Sequence, residues 1–286
     1  MYKINEILPL EHVFTSPLDT IAPKLKKLYY RGKLPSEGAK TVAVVGSRKL
    51  SKYGEEYAYK FGYDLVQRGL VVVSGLALGV DALAHKGALD AGGITVAVLG
   101  SGVDDITPRT NRALGERILD SGGAIISEYA PGTPAYATQF VERNRIVSGL
   151  SDAVIIIEAA VRSGSLTTAA YALEQGKAVF ALPGNIGSPM SAGSNRLIKQ
   201  GAYCLTEVKD VLEVIAPEKL EQGELSVFGD NELENQILKL IQEGVRDGEF
   251  LVARLGISAG EFNQTVTMME LKGSLRALGA NRWTLG

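Results

Sequence analysis

Cysteine occurs once in the 286 residues, as Cys204, and histidine twice, as His12 and His85. A lone cysteine excludes an internal disulfide and fits a reducing cytosol. At the end of an apolar run, Cys204 is expected as a small buried hydrophobe. Two histidines far apart in sequence exclude a multi-histidine metal site. No apolar stretch approaches the roughly 18 residues needed to cross a membrane, and MYKINEILPLEHV places Glu6 and Glu11 where a secretory signal carries an apolar block. The expected location is therefore the cytoplasm, without membrane contact. Chemical engines are also missing: there is no carboxylate pair with an evident acid/base role, no Ser/His/Asp order of a nucleophile elbow and no Walker lysine. Accordingly no catalytic residue, metal or cofactor is expected.

Strong charge of either sign is absent too. The net charge is −2, but residues 1–40 hold seven Lys/Arg against four Asp/Glu, residues 41–216 sixteen against seventeen, and residues 217–286 seven against eleven. A generic nucleic-acid coat is thereby excluded, and any nucleic-acid site must be a local cluster of Arg and Lys.

What the chain does contain is a series of short apolar runs that end in Gly, Ser or Arg. TVAVV closes on Gly46-Ser47-Arg48, VVV on Ser74-Gly75, ITVAVL on Gly100-Ser101-Gly102, AVIII leads through Glu158 to Ser163-Gly164-Ser165, and AVFAL closes on Pro183-Gly184. Such runs, alternating with segments of helical length, read as buried parallel strands in βαβ units. Strands are expected near 41–46, 70–74, 94–99, 124–127, 153–158, 178–182 and 203–205, and helices near 54–67, 81–91, 110–121, 138–149, 165–176 and 191–200. Residues 1–40 read as a lead-in with a short helical stretch around Leu25–Tyr30, residues 129–137 as an irregular insertion, and residues 217–231 as a polar linker. From Glu232 the pattern becomes three helices and a Gly-hinged hairpin, a winged helix-turn-helix over 232–286. The expected fold class is α/β: an extended Rossmann-like doubly wound parallel sheet over 41–216 with a small C-terminal winged-helix domain.

Open parallel sheets bind ligands outside the carboxyl ends of their strands, so the glycine-rich loops should converge on one anion-friendly edge. Gly46 and Ser47 can turn backbone N–H groups toward an anion, and Arg48 adds a planar cationic fork. Gly75 and Gly79 permit close backbone approach, Asp81 sits where a helix cap belongs, and His85 lies one turn on, placed to pair with it. Arg109 and Arg112 stand at a helix start. Arg143 and Arg145 flank Asn144 on one helix and point roughly 200° apart, so one should face outward and the other hold the 129–137 loop. Ser163, Gly164, Ser165, Thr167 and Thr168 open a hydroxyl-rich helix, Gly184 and Asn195 follow the next strand, and Lys199 lies on the helix after it. Tyr53, Tyr129, Tyr136 and Phe140 lie near the same edge and are able to stack a base.

In order, GSR-x4-YG, SGLALGVDALAHKGAL, G-x-G-x-D-x3-P-x2-N, F-x2-RNRI-x-SGLSD, E-x4-SGSL-x-TA-x2-A-x3-G and PG-x8-G-x-N-x-LI-x2-GA resemble the DprA/Smf family over residues 28–216. The resemblance implies a protein that binds single-stranded DNA, shields incoming DNA in natural transformation, helps load the recombinase RecA, and forms a homodimer through the Rossmann domain. It also implies DNA-pocket roles for Gly46, Ser47, Arg48, Gly75, Gly79, Arg143, Asn144, Arg145, Ser163, Gly164, Ser165, Gly184, Asn195 and Lys199. Thr107 stands where the family carries an aromatic, and the lead-in is expected to be too short for a sterile-alpha-motif-like domain. The competing enzyme reading is a nucleotide-binding phosphoribohydrolase of the related lysine-decarboxylase-like type. That type has PGG-x-GT-x2-E at a helix start, where this chain has SGSLTTAAY. A sequence-specific regulator is disfavoured because the third helix of the winged unit carries Glu261 and Glu270 against Lys272.

Overall fold

The computed structural model describes residues 2–220, 231–242, 244–279 and 281–285. The chain divides into two compact units, Met1–Gln222 and Gly223–Gly286.

The first unit is a nine-stranded sheet with helices on both faces. Its strands are β1 (Asn5–Ile7), β2 (Leu28–Gly32), β3 (Thr41–Val45), β4 (Val71–Ser74), β5 (Thr95–Val98), β6 (Ala124–Ser127), β7 (Ala153–Ile156), β8 (Ala178–Ala181) and β9 (Tyr203–Cys204). The helices are α1 (Lys52–Gln67), α2 (Val80–Asp90), α3 (Arg112–Asp120), α4 (Ala137–Glu142), α5 (Asn144–Gly149), α6 (Ser165–Glu174), α7 (Ala192–Lys199) and α8 (Val208–Ile215). Strand order is β1-β2-β6-β5-β4-β3-β7-β8-β9; β6 through β9 run parallel, and β2 and β1 add antiparallel. The chain winds outward from β3 to β6, returns beside β3 at β7, and winds out the other way. The order therefore reverses between β3 and β7, where a doubly wound sheet opens its ligand crevice.

Strand periodicity divides the core. Ala43, Val45, Val73, Val98, Val154 and Ile156 face one side with Leu18, Ile146 and Ala169. Their neighbours Val42, Val44, Val72, Ala153 and Ile155 face the other, against Ala58, Phe61 and Leu65 of α1 and Ala84 of α2. Each central strand is buried on both faces, which is why these runs are continuously apolar.

Three sequence expectations change. The Leu25–Tyr30 stretch is not helical: Leu28–Gly32 forms β2, with Tyr30 opposite Ile126 and Arg31 opposite Ile125. The aromatic pair Tyr29-Tyr30 suits a pleated surface, and β6 offers a backbone edge to pair with. The helix expected over 138–149 is divided at Arg143 into α4 and α5. Cys204 is exposed on the edge strand β9, not buried, because among the described residues no further strand pairs with that edge of the sheet.

The second unit holds α9 (Glu232–Gln242), α10 (Gly248–Leu255), α11 (Ala259–Leu271) and a hairpin of β10 (Leu275–Gly279) and β11 (Arg282–Leu285). Ile237, Leu238, Leu251, Phe262, Met269 and Trp283 form its own core, in the helix–helix–helix–hairpin order of a winged helix. Most of the expected linker, residues 221–230, lies outside the described residues.

Candidate nucleic-acid interface

At the reversal point the loops after β3 and β7 and the α4–α5 junction enclose a cleft of roughly 590 Å³. Gly46, Ser47, Arg48, Arg143, Asn144, Ser163, Gly164 and Ser165 line it, as do Lys49, Phe140, Arg162 and Thr168. Arg48 is exposed, with its guanidinium carbon 5.6 Å from the Phe140 ring centre. A cation over an aromatic face keeps its charge while losing little hydration, so Phe140 steadies Arg48 at the rim.

Arg143 forms the floor. It is 3% exposed, and its Nη1 donates to the carbonyls of Gly75, at 2.6 Å, and Val98. This explains Gly75, since a Cβ there would lie 2.3 Å from the guanidinium. Burial draws the Arg143 guanidinium down to about 10, with Asp81 opposing that shift, so it remains charged at neutral pH. Its Nε has no hydrogen-bond partner among the described residues.

Asp81 does not act as the expected pairing partner of His85. Its Oδ2 accepts from the Gly75 N–H at 3.1 Å and the Ala77 N–H at 3.4 Å, bracing the turn after β4. Burial raises its carboxyl above the usual range, against the lowering effect of Arg143. His85 Nδ1 instead lies 2.7 Å from the Thr95 hydroxyl, which itself donates to the Val72 carbonyl at 2.6 Å. The hydroxyl's proton is thus committed and Nδ1 must carry its own. Burial depresses His85 to about 3, leaving a neutral core histidine.

The first loop differs from expectation in how it can hold an anion. The Ser47 N–H donates to the Glu158 carbonyl at 2.7 Å, and the Lys49 N–H to the Ser47 hydroxyl at 3.1 Å. Those two amides are committed internally, and the loop adds the exposed cations Arg48 and Lys49. Gly79, at φ +82°, packs so closely behind this loop that a Cβ would lie 2.3 Å from the Ser47 carbonyl oxygen. At α6 the N-cap is Gly164, which has no side chain to cap with, and the Ser163 hydroxyl accepts the Ser165 N–H at 3.4 Å. The Ser163 and Ser165 hydroxyls lie 2.7 Å apart, and Asn144 Nδ2 donates to the Gly164 carbonyl at 3.4 Å. This hydroxyl-lined start faces the same cleft as Arg48.

The remaining expected residues lie elsewhere. Arg145 is 4% exposed and pairs with Glu128, so neither arginine of the RNR run projects outward; Arg145 secures the start of the 129–137 insertion. Gly184 and Asn195 saturate one another: the Gly184 N–H donates to Asn195 Oδ1 at 3.1 Å, and Asn195 Nδ2 returns to the Gly184 carbonyl at 2.9 Å. Lys199 ends α7, a helix running back along the sheet, so it lies toward the amino ends of the strands, opposite the cleft. Arg109 and Arg112 are exposed before and at the start of α3 but do not line the cleft, and Thr168, rather than Thr167, does. Of the aromatics, Tyr53 donates to the Pro183 carbonyl at 2.8 Å and Tyr129 to Glu142 at 2.9 Å; Tyr136 is exposed. Lys49 and Arg162 were legible as neighbours of the GSR and SGS motifs; of the four aromatics expected near this edge, Phe140 is the one that lines the cleft.

Comparison with known proteins places these features. The family described as DNA recombination-mediator protein A matches residues 6–216. Protein Smf of Escherichia coli K12 is 50% identical over 186 residues, covering 65% of this chain and 50% of that protein. DNA processing protein DprA of Streptococcus pneumoniae is 44% identical over 185 residues, covering 65% of each. The chain thus spans half to two thirds of those relatives' lengths. The Streptococcus pneumoniae DprA crystal structure superposes with a TM-score of 0.69 at 40% identity, over 74% of this chain and 75% of that one. DNA processing protein A from Helicobacter pylori, a structure described for its single-stranded DNA binding mode, gives 0.65 at 28% identity over 76% and 97%. With its reversal-point cleft, GSR turn and RNR helix, the chain belongs to the DNA recombination-mediator protein A family, the DprA/Smf proteins.

Proposed function

We propose that this protein binds single-stranded DNA in the cleft between β3 and β7 and serves DNA processing in transformation and recombination. The observation that carries the reading is the convergence of Arg48, Lys49, Arg162, the α6 start and the Phe140 ring on one recess. Arginine and lysine neutralise phosphates without reading sequence, and an aromatic face accepts any base. A recess of this size takes an unpaired strand, whose phosphates and bases separate, more readily than a rigid duplex. The related Helicobacter pylori structure, described for single-stranded DNA binding, supports the same reading. Within it, the protein acts by binding and not as an enzyme, works in the cytoplasm as a homodimer, and hands its strand to RecA. Among the described residues no helix is long and apolar enough to cross a membrane.

The division into a lead-in, a Rossmann-like DNA-binding domain, a linker and a winged-helix domain belongs to this proposal, with strand binding assigned to the second. The test is a salt titration of affinity for oligo-dT, a matched duplex and a mononucleotide. Oligo-dT should bind tightest, with a steep negative slope of log affinity against log salt. Equal affinity for duplex at the same salt overturns the reading, and tight mononucleotide binding with turnover favours a nucleotide-cleaving enzyme.

A further inference from the structure

Glu158 follows β7 and is only 2% exposed, yet it does not line the cleft. Its backbone carbonyl accepts the Ser47 N–H at 2.7 Å. Its carboxylate accepts the Ser51 N–H at 3.0 Å through Oε2 and the Ser51 hydroxyl at 2.5 Å through Oε1. The Ser51 hydroxyl in turn accepts the Gly54 N–H at 3.1 Å, capping α1. Gly54 leaves the space this needs, since a Cβ there would lie 2.2 Å from Glu158 Oε2. One residue therefore pins both ends of the loop that carries Arg48 and Lys49. It also sets a carboxylate at the amino end of α1, where a sheet of this kind commonly receives a ligand phosphate.

We infer that Glu158 is the positioning residue of the strand-binding loop. Its carbonyl and carboxylate preset Ser47–Ser51 so that Arg48 meets phosphate without a search. The chain's own carboxylate fills the α1 terminus, which leaves an incoming phosphate to Arg48, Lys49 and the α6 start. The inference rests on the single-stranded DNA reading above.

The experiment is a double-mutant cycle on oligo-dT affinity across a salt series, with Arg48→Ala, Glu158→Ala, the double variant and Glu158→Gln. Glu158→Ala should weaken binding about tenfold, the loss expected for one charge-assisted phosphate contact, and reduce the salt slope by about 0.7, one counterion on a single strand. The double variant should be no weaker than Arg48→Ala, because the two residues act as a unit. Glu158→Gln keeps an oxygen for the Ser51 N–H and should recover most of the affinity. Additive losses, or a Gln variant as weak as the Ala variant, overturn the inference. If Glu158→Ala does not fold, Ser51→Ala removes the hydroxyl half of the clamp while its backbone N–H still reaches Glu158, and completes the cycle with smaller changes in the same readouts. A neutral Arg48→Ala overturns the parent reading at this loop. A weakened Arg48→Ala with an unaffected Glu158→Ala overturns the positioning role alone.

Discussion

Arg48 and Arg143 share one cleft but differ in exposure, and they should fail differently. Arg48 is exposed and lies over the Phe140 face. Arg48→Ala should weaken all oligonucleotides alike and shrink the log–log salt slope by about 0.7, leaving the melting temperature unchanged. Arg48→Lys should restore part of the binding, since a point charge does not reproduce the bidentate fork. A lowered melting temperature with an unchanged slope would mark Arg48 as structural. Arg143 is buried against the Gly75 and Val98 carbonyls, with Asp81 nearby. Arg143→Ala strands these acceptors and should cost about 3 kcal/mol of stability, read as a shift of the urea midpoint. Asn195→Ala, which frees both backbone groups of Gly184, should lower stability by about 1 kcal/mol and leave the salt slope alone, the reverse of Arg48→Ala.

At the scale of elements, the turns after β3 and β4 lean on one another. Gly79 sits at φ +82° with the Ser47 carbonyl pressed against its missing Cβ, and the Val80 N–H donates to that same oxygen at 3.2 Å. Gly79→Ala must both adopt a left-handed backbone and displace the Arg48 loop. It should cost about 2 kcal/mol and weaken oligo-dT as well, so denaturant melts and affinity should move together. Intact affinity in a destabilised Gly79→Ala would show that the two turns are independent. The RNR run shows why element boundaries were harder to read than element types. Its apolar spacing favoured one helix, yet the burial of Arg143 across the ends of β4 and β5 divides it into α4 and α5. That side-chain demand is tertiary, and local propensity does not encode it.

For the whole molecule, pH and truncation give the informative tests. His85 has a folded value near 3 against about 6.5 in an unfolded chain. Below pH 6.5 the unfolded state takes up a proton that the folded state refuses, so stability is complete above that pH and declines toward pH 3. The slope is about 1.4 kcal/mol per unit, or about 2 kcal/mol lost by pH 5. Asp81, raised by burial, works in the opposite sense at lower pH, so the difference between the protein and His85→Leu isolates the histidine. Urea melts at pH 7 and pH 5 should show the gap between the two narrowing at the lower pH; a constant gap would refute the neutral assignment. The winged-helix unit carries an excess of acid, and the exposed face of α11 presents Glu261, Asn263, Gln264 and Thr267 without a cation. Removing residues 225–286 should leave oligo-dT affinity within tenfold, or about 1.4 kcal/mol; a larger loss would extend the DNA site into that unit.

The sequence by itself determined the class of the sheet, because strands buried on both faces must be continuously apolar and the helices between them must be amphipathic. It also determined the GSR and SGS loops as one edge, since parallel strands put all their carboxyl ends together. Family membership was legible in the order of six motifs. Only the tertiary structure decided which members of those motifs face the cleft. Direction is set by neighbours far along the chain: Asn195 turns to Gly184, Arg145 to Glu128, and Ser47 gives its N–H to Glu158. Lys199 was placed by the reversal of α7, and β2 by an edge that β6 left open. A buried polar group goes where its partner is, and that partner is chosen by packing across the sheet, not by adjacency in the chain.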